Sequence, residues 1–221
     1  MDTTEYLLRA FRDQVGFTLG LTNDAHHPIH VPLMDRDRLS AIFHGLGFTS
    51  GAEIGVEEGV FSECLLKDNP GCTLYAIDAW RTYRAYRDHT RQKKLDRFYE
   101  NTKARLAPYH VHIVRKFSID AVKDFADRSL DFVYIDGNHD FYHCTTDICL
   151  WSKKVKVGGI IAGHDYAVIG GYGEKEEPRV YDGCHVQVAV DACVQIMRVP
   201  KLYILGERYG KRDKWRTFFF F

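Results

Sequence analysis

The sequence predicts an α/β fold, a mostly parallel sheet of seven strands with helices on both faces. Two observations carry that expectation. Thr73-Leu74-Tyr75-Ala76-Ile77-Asp78 is apolar on both faces until it stops at Asp78, Leu130 to Asp136 is rich in aromatic and β-branched residues, and such strands separated by helical segments indicate a parallel sheet covered on both sides. The stretch Ala52-Glu53-Ile54-Gly55-Val56-Glu57-Glu58-Gly59-Val60 reads as the end of a buried strand, a glycine turn and a helix start. A helix N-terminus behind such a turn offers unpaired N–H groups to a ligand. Gly55 would let that ligand approach the backbone closely.

The elements follow in order. Thr4 to Val15 has apolar residues at helical spacing. Gly16 to Pro32 reads as loop, and its His26, His27 and His30 read as solvated, because no Cys or carboxylate pattern completes a zinc site. Asp35 is placed to cap a helix through Leu39, Ile42 and Phe43 that closes at Gly45 or Gly47. Ser50 to Val56 is the first strand, with a helix from Gly59 to about Lys67. Thr73 to Asp78 is the second. A long polar segment, Arg81 to Arg105, is helical from about His89. It holds nine Lys or Arg against three Asp or Glu, which makes it a solvated face or a basic rim for an anionic substrate. Val111 to Val114 and Leu130 to Asp136 are the third and fourth strands, each followed by a helix. Gly158 to Gly163 is the fifth, and a Gly- and charge-rich loop, Ile169 to Asp182, suggests a lid. A helix over Val186 to Met197 precedes two closing strands, Lys201 to Gly206 and Lys214 to Phe221, joined by a turn around Gly210. The terminal phenylalanines alternate beneath helices.

Composition narrows the function. With 221 residues and 45% apolar content, one soluble domain with a sizeable core is expected. Thirty basic residues balance thirty acidic ones, so nucleic acid is disfavoured as a partner. No apolar run reaches membrane-spanning length, so no membrane partner is expected. Six cysteines without a C-x-x-C pair, and an N-terminus unlike a signal peptide, suggest reduced thiols in a cytoplasmic protein.

The polar residues collect at strand ends: Gly55, Asp78, Ser118, Asp136 and His164-Asp165. In an open parallel sheet, ligands bind beyond those ends. Asp78 follows Gly59 by nineteen residues, and its carboxylate suits a ribose, accepting from both hydroxyls at once. Glu53 occupies the place of the first glycine of a G-x-G-x-x-G fingerprint, and the third glycine is displaced by one residue to Gly59. A carboxylate there would repel a pyrophosphate and attract an ammonium or sulfonium group. The ligand implied is S-adenosylmethionine.

The residues Glu53-Ile54-Gly55-Val56-Glu57-Glu58-Gly59, Ile77-Asp78-Ala79-Trp80, Tyr134-Ile135-Asp136-Gly137-Asn138-His139, Gly158 to Tyr166 and Gly183 to Asp191 together resemble class I S-adenosylmethionine-dependent methyltransferases. Within them the chain is similar to the bacterial small-molecule group that includes the macrocin O-methyltransferases. The resemblance runs from about Ser50 to the C-terminus. It implies a Rossmann-like class I methyltransferase sheet whose last strand is antiparallel, as a domain at 50–221. Residues 1–49 match no motif and are expected to form a helical and loop extension over the active site. By resemblance, Glu53, Gly55 and Gly59 line the methionine part of the cofactor, Asp78 holds the ribose, Phe117 and Ser118 lie near the adenine, and Asp136 faces the reacting methyl group.

Asp136, His164 and Asp165 end adjacent strands, and two oxygens with one imidazole suit Mg²⁺ or another divalent metal. Related enzymes carry acidic or amide ligands at these places, and His164 departs from them. His139 or His164 would take the proton of an acceptor hydroxyl. The implied partner is a small-molecule acceptor, a sugar, natural product or aromatic, and a homo-oligomer is allowed for. The acceptor pocket falls to residues 1–49, Trp80 to Arg91 and Tyr166 to Asp182, where Tyr83, Tyr86 and Tyr172 suit a ring. The alternatives are an NAD-dependent oxidoreductase, a nucleic-acid methyltransferase, and a binding protein without turnover.

Overall fold

A computed structural model describes residues 2–15, 28–31, 34–84, 86, 89–167, 184–206 and 216–221. Its elements are α1 (Thr3–Val15), β1 (Ile29–Val31), α2 (Arg36–Gly45), β2 (Ser50–Ile54), α3 (Val60–Asp68), β3 (Thr73–Asp78), α4 (Gln92–Leu106), β4 (Val111–Arg115), α5 (Ser118–Ala121), β5 (Leu130–Ile135), α6 (Phe141–Trp151), β6 (Val155–Gly163), α7 (Val186–Ile196), β7 (Tyr203–Leu205) and β8 (Thr217–Phe220). His26, His27, Tyr172, the loop at 169–182 and the turn at Gly210 lie outside the described residues.

The strands form one sheet in the order β1-β7-β8-β6-β5-β2-β3-β4. The seven expected strands are all present. All neighbours pair in parallel except β8, the last strand, which runs antiparallel to both β6 and β7. An eighth strand, β1, pairs in parallel with β7 inside the stretch expected to be loop. It is three residues long, too short for its period-2 pattern to stand out, and His30 faces outward on it.

Two apolar layers sandwich the sheet. One collects Leu7 and Phe11 of α1, Leu39 and Phe43 of α2, Phe61 and Leu65 of α3, and Leu95 and Phe98 of α4 around Phe132, Tyr134 and Phe219. The other collects Ala121, Cys144, Ile148, Trp151, Val186 and Val190 around Val133, Ile135, Phe218 and Phe220. The terminal phenylalanines therefore alternate between the layers, as a period-2 strand requires. The six cysteines are unpaired. Asp35 caps α2, its carboxylate accepting from the Arg38 N–H at 3.1 Å.

The basic segment is shorter as a helix than expected, starting at Gln92. Much of its charge is held locally. Arg105 pairs with Glu63 at 3.1 Å, Lys103 with Glu100 at 2.7 Å, and Lys94 lies over the Phe98 ring.

Candidate active site

Register brings the polar strand ends to one edge. Ile54 lies opposite both Ile77 and Ile135, and Ile135 opposite Gly163. The residues that follow, Gly55, Asp78, Asp136 and His164, therefore emerge at one level. β2 has β3 on one side and β5 on the other, so the chain reverses its direction of winding there, the position at which open α/β sheets bind ligands. A cleft of about 670 Å³ opens at this edge, within the range of small-molecule sites. All the predicted site residues except Gly59 line it.

Gly55 has φ +86°, and a Cβ there would lie 2.0 Å from the Asp136 carbonyl oxygen. Its lack of a side chain is required by close approach of the β5 backbone, a reason separate from the ligand contact expected from sequence. Gly59 has φ +74° at the cap of α3 and packs towards Thr102 and Leu106 of α4. Strain gathers at the same sheet edge. Of five non-glycine residues with positive φ among the described residues, Glu57, Trp80 and Asp165 stand just beyond β2, β3 and β6. Such outliers persist only where surroundings hold them, and they cluster at functional sites.

Glu53 is 2% exposed and accepts a short hydrogen bond from the Ser62 hydroxyl on α3. Burial pushes its carboxyl up to about 8. Ser62 and Arg36 oppose the rise, and the charges of Asp136 and Asp78 add to it. Asp78 is already engaged: Oδ2 accepts from the Val56 and Glu57 N–H groups, both at 3.1 Å, and Oδ1 from the Trp80 N–H at 2.7 Å. Phe117 meets Tyr83 edge-on at 5.4 Å, and Tyr83 stacks on Tyr86 at 5.3 Å. The Ser118 hydroxyl donates to Asp147 and accepts from Trp151 Nε1 at 2.8 Å.

Beyond β5 and β6, Asp136, His139 and Asp165 converge, with one donor atom from each within 4.8 Å of the others. His139 Nε2 is 3.0 Å from Asp165 Oδ2 and 3.5 Å from Asp136 Oδ1. The metal set expected from sequence is Asp136, His164 and Asp165; two of its members are in this group. The third converging donor is His139, while His164 Nδ1 faces the other oxygen of Asp165 at 3.3 Å. Burial would lower the His139 pKa, but hydrogen bonds with Asp136 and Asp165 outweigh it and hold the pKa well above the ordinary histidine value. Asp165 is held well below the usual carboxylate range. Burial works against this, and His139 and His164 overcome it. Two carboxylates and an imidazole on separate segments fit the donor set of a divalent cation. A cation entering there would displace the His139 proton.

Two residues of the cleft were missed from sequence. Arg36, the first residue of α2, stands 3.6 Å from Asp136 Oδ2 and lies over the Phe61 ring at 5.3 Å. Nothing in its local pattern marks it. Asp147 is a buried carboxyl on α6, raised to about 6 by burial against the Ser118 hydrogen bond. It did carry a signal, because it shares a helical stripe with Cys144, Ile148 and Trp151, where a carboxylate is out of place.

Comparison with known proteins agrees with this architecture. A family model described as "Methyltransferase domain" matches residues 52–166, just over half of the chain. No curated protein sequence matches. Among solved structures, the chain is similar to an O-methyltransferase from Bacillus cereus in complex with SAH, at TM-score 0.57 and 14% identity, covering 99% of this chain and 90% of that one. It is also similar to a Staphylococcus aureus protein assigned as a caffeoyl-CoA O-methyltransferase (TM-score 0.56, 14% identity, 97% and 90% covered). A third is the N-methyltransferase NodS from Bradyrhizobium japonicum (TM-score 0.54, 14% identity, 84% and 93% covered). These likenesses establish a shared Rossmann-like fold. With a family match over the cleft-forming strands, the chain belongs to the methyltransferase-domain family and is an S-adenosylmethionine-dependent class I methyltransferase.

Proposed function

We propose that the enzyme methylates a hydroxyl oxygen of a small molecule. The observation that carries this reading is His139 held between Asp136 and Asp165 at one end of the cofactor cleft. Methyl transfer to a hydroxyl needs a group that removes the proton, and a histidine braced by carboxylates is suited to that.

The cofactor would lie along the strand ends, its methionine part against Glu53, Gly55 and the start of α3, its ribose at Asp78, and its adenine near Phe117 and Ser118. Its methyl group would then point to Asp136. The transfer is an in-line displacement, so holding the acceptor oxygen in line supplies much of the acceleration. His139 must first lose the proton that Asp136 and Asp165 hold on it; the deprotonated form then takes the hydroxyl proton on Nε2, and Asp165 stabilises the imidazolium that re-forms. His164 fixes the other Asp165 oxygen and so the direction of the carboxylate. If a divalent metal binds, Asp136, His139 and Asp165 would hold it, and it would supply Lewis-acid polarisation of the hydroxyl. The extension at 1–49 brings Arg36 to this end of the cleft, in support of its covering the active site.

Calorimetry with S-adenosylhomocysteine tests the cofactor assignment. Saturable binding is expected at micromolar ligand, and no heat at high micromolar ligand would end this reading of the cleft.

A further inference from the structure

Asp78 is the strand-end carboxylate that a ribose diol would meet, and its capacity is nearly used. Three backbone amides occupy its two oxygens. An ionised carboxylate offers about four acceptor sites, so roughly one is left for two hydroxyls.

A second carboxylate stands on the same turn. Glu57 occupies a left-handed conformation, φ +53°, at a position where glycine would be unstrained. Its backbone is pinned from two elements: its carbonyl accepts from Trp80 Nε1 at 2.8 Å and from Thr102 Oγ1 at 3.0 Å. Its side chain is aimed as well. Glu57 Oε1 lies 2.8 Å from His89 Nε2, and His89 Nδ1 lies 3.0 Å from Lys94 Nζ. An ammonium can only donate, so Nδ1 accepts, and the imidazole proton sits on Nε2 and is donated to Glu57. Lys94, His89 and Glu57 thus form a chain in which each group orients the next. Glu57 and His89 both line the cleft beside Asp78. The Asp78 carboxyl is raised first by burial, with the three amides opposing, and the neighbouring Glu57 charge adds to the rise.

We propose that Glu57 is the second ribose acceptor: Asp78 takes one hydroxyl of the cofactor ribose, and Glu57, positioned by His89, takes the other. This rests on the reading of the cleft as the S-adenosylmethionine site. One His89 bond leaves the Glu57 carboxylate with acceptor sites to spare. It also explains why a strained glutamate occupies the turn, where glycine would relieve the backbone and lose the acceptor.

The test compares S-adenosylhomocysteine with its 2′-deoxy and 3′-deoxy analogues by calorimetry, on wild type, Glu57→Gly, His89→Ala and His89→Gln. Glycine suits the φ of position 57, so Glu57→Gly should fold, with an unchanged or higher Tm as the check. Wild type should lose about tenfold or more in affinity when either hydroxyl is removed, the scale of a hydrogen bond to a charged group. Glu57→Gly should bind the parent ligand about tenfold more weakly and remain sensitive to removal of only one hydroxyl. His89→Ala should shrink the same discrimination, and His89→Gln, which keeps a donor, should restore part of it. Undiminished discrimination against both analogues in Glu57→Gly would overturn the proposal while leaving the cofactor site intact. A wild type that binds none of the three ligands would overturn both together.

Discussion

Glu53 offers the sharpest test of how the cleft reads its cofactor. Its carboxyl sits at about 8 against an ordinary 4.5, chiefly because it is buried, so ionising it costs about 5 kcal/mol more than in an exposed carboxyl. The sign follows from proton counting. Between 4.5 and 8 the native protein holds a proton that the unfolded chain has released, so stability falls as pH rises across that window. At pH 7 Glu53 is mostly protonated in the ligand-free protein. A cation arriving beside the carboxyl, such as the ammonium of the methionine part, favours its ionised form and expels that proton. Titrating S-adenosylhomocysteine at pH 7 in two buffers of different ionisation enthalpy measures the release directly. We expect proton release from wild type and almost none from Glu53→Gln, which keeps the shape and the Ser62 contact but cannot titrate. The Gln variant should also lose the decline in urea stability between pH 5 and 8. Equal proton release from both proteins would refute the assignment of Glu53 to the cationic end of the ligand.

Two further outcomes are expected. In Asp165→Asn the imidazolium of His139 loses a carboxylate, so its pKa should fall and the acid limb of the kcat/KM profile should move to lower pH. The maximal rate should drop as well. The profile is recorded after exhaustive EDTA treatment, and an unmoved limb would remove His139 as the base. Gly55→Ala adds a methyl group 2.0 Å from the Asp136 carbonyl at positive φ, which should destabilise by about 2–5 kcal/mol by urea unfolding. Gly71→Ala has nothing within 4 Å and should stay within about 0.5 kcal/mol of wild type.

The parts of this fold that were legible are those whose pattern is enforced by burial. β3 and the C-terminal stretches of β5 and β6 are buried and apolar, so each ends visibly at a polar residue, and β2 departs from this only at the buried Glu53. β1 was not legible because a three-residue edge strand with an outward His30 leaves no such trace. At the site, backbone position could be read but side-chain direction could not. Asp136, His139, His164 and Asp165 all carry suitable atoms. Which three converge depends on the turn at Asp165, whose φ of +56° presents one oxygen to each histidine. Glu57 stood in plain view between Gly55 and Gly59. Its role emerges only from its backbone conformation and from the saturation of Asp78 by amides.

The charge of the cleft separates the competing cofactors. Seven carboxylates line it, those of Glu53, Glu57, Glu58, Asp78, Asp136, Asp147 and Asp165, against Arg36, Arg81 and Lys116. A dinucleotide brings a pyrophosphate with two negative charges into that field, where it meets further carboxylates and keeps the Glu53 carboxyl in its neutral form. S-adenosylmethionine brings a sulfonium and an ammonium against a single carboxylate, for a net positive charge. The same field acts on the reaction itself. Methyl transfer removes the sulfonium charge, so the product leaves the acidic cleft with less attraction than the cofactor had on entry. Arg36 sets a limit on this effect by pairing with Asp136, where on the proposed reading the acceptor oxygen would become electron-rich as its proton departs. On that reading, an acidic cradle with Arg36 at its reactive end would attract the donor and release the product. It also keeps a positive group beside the oxygen that attacks.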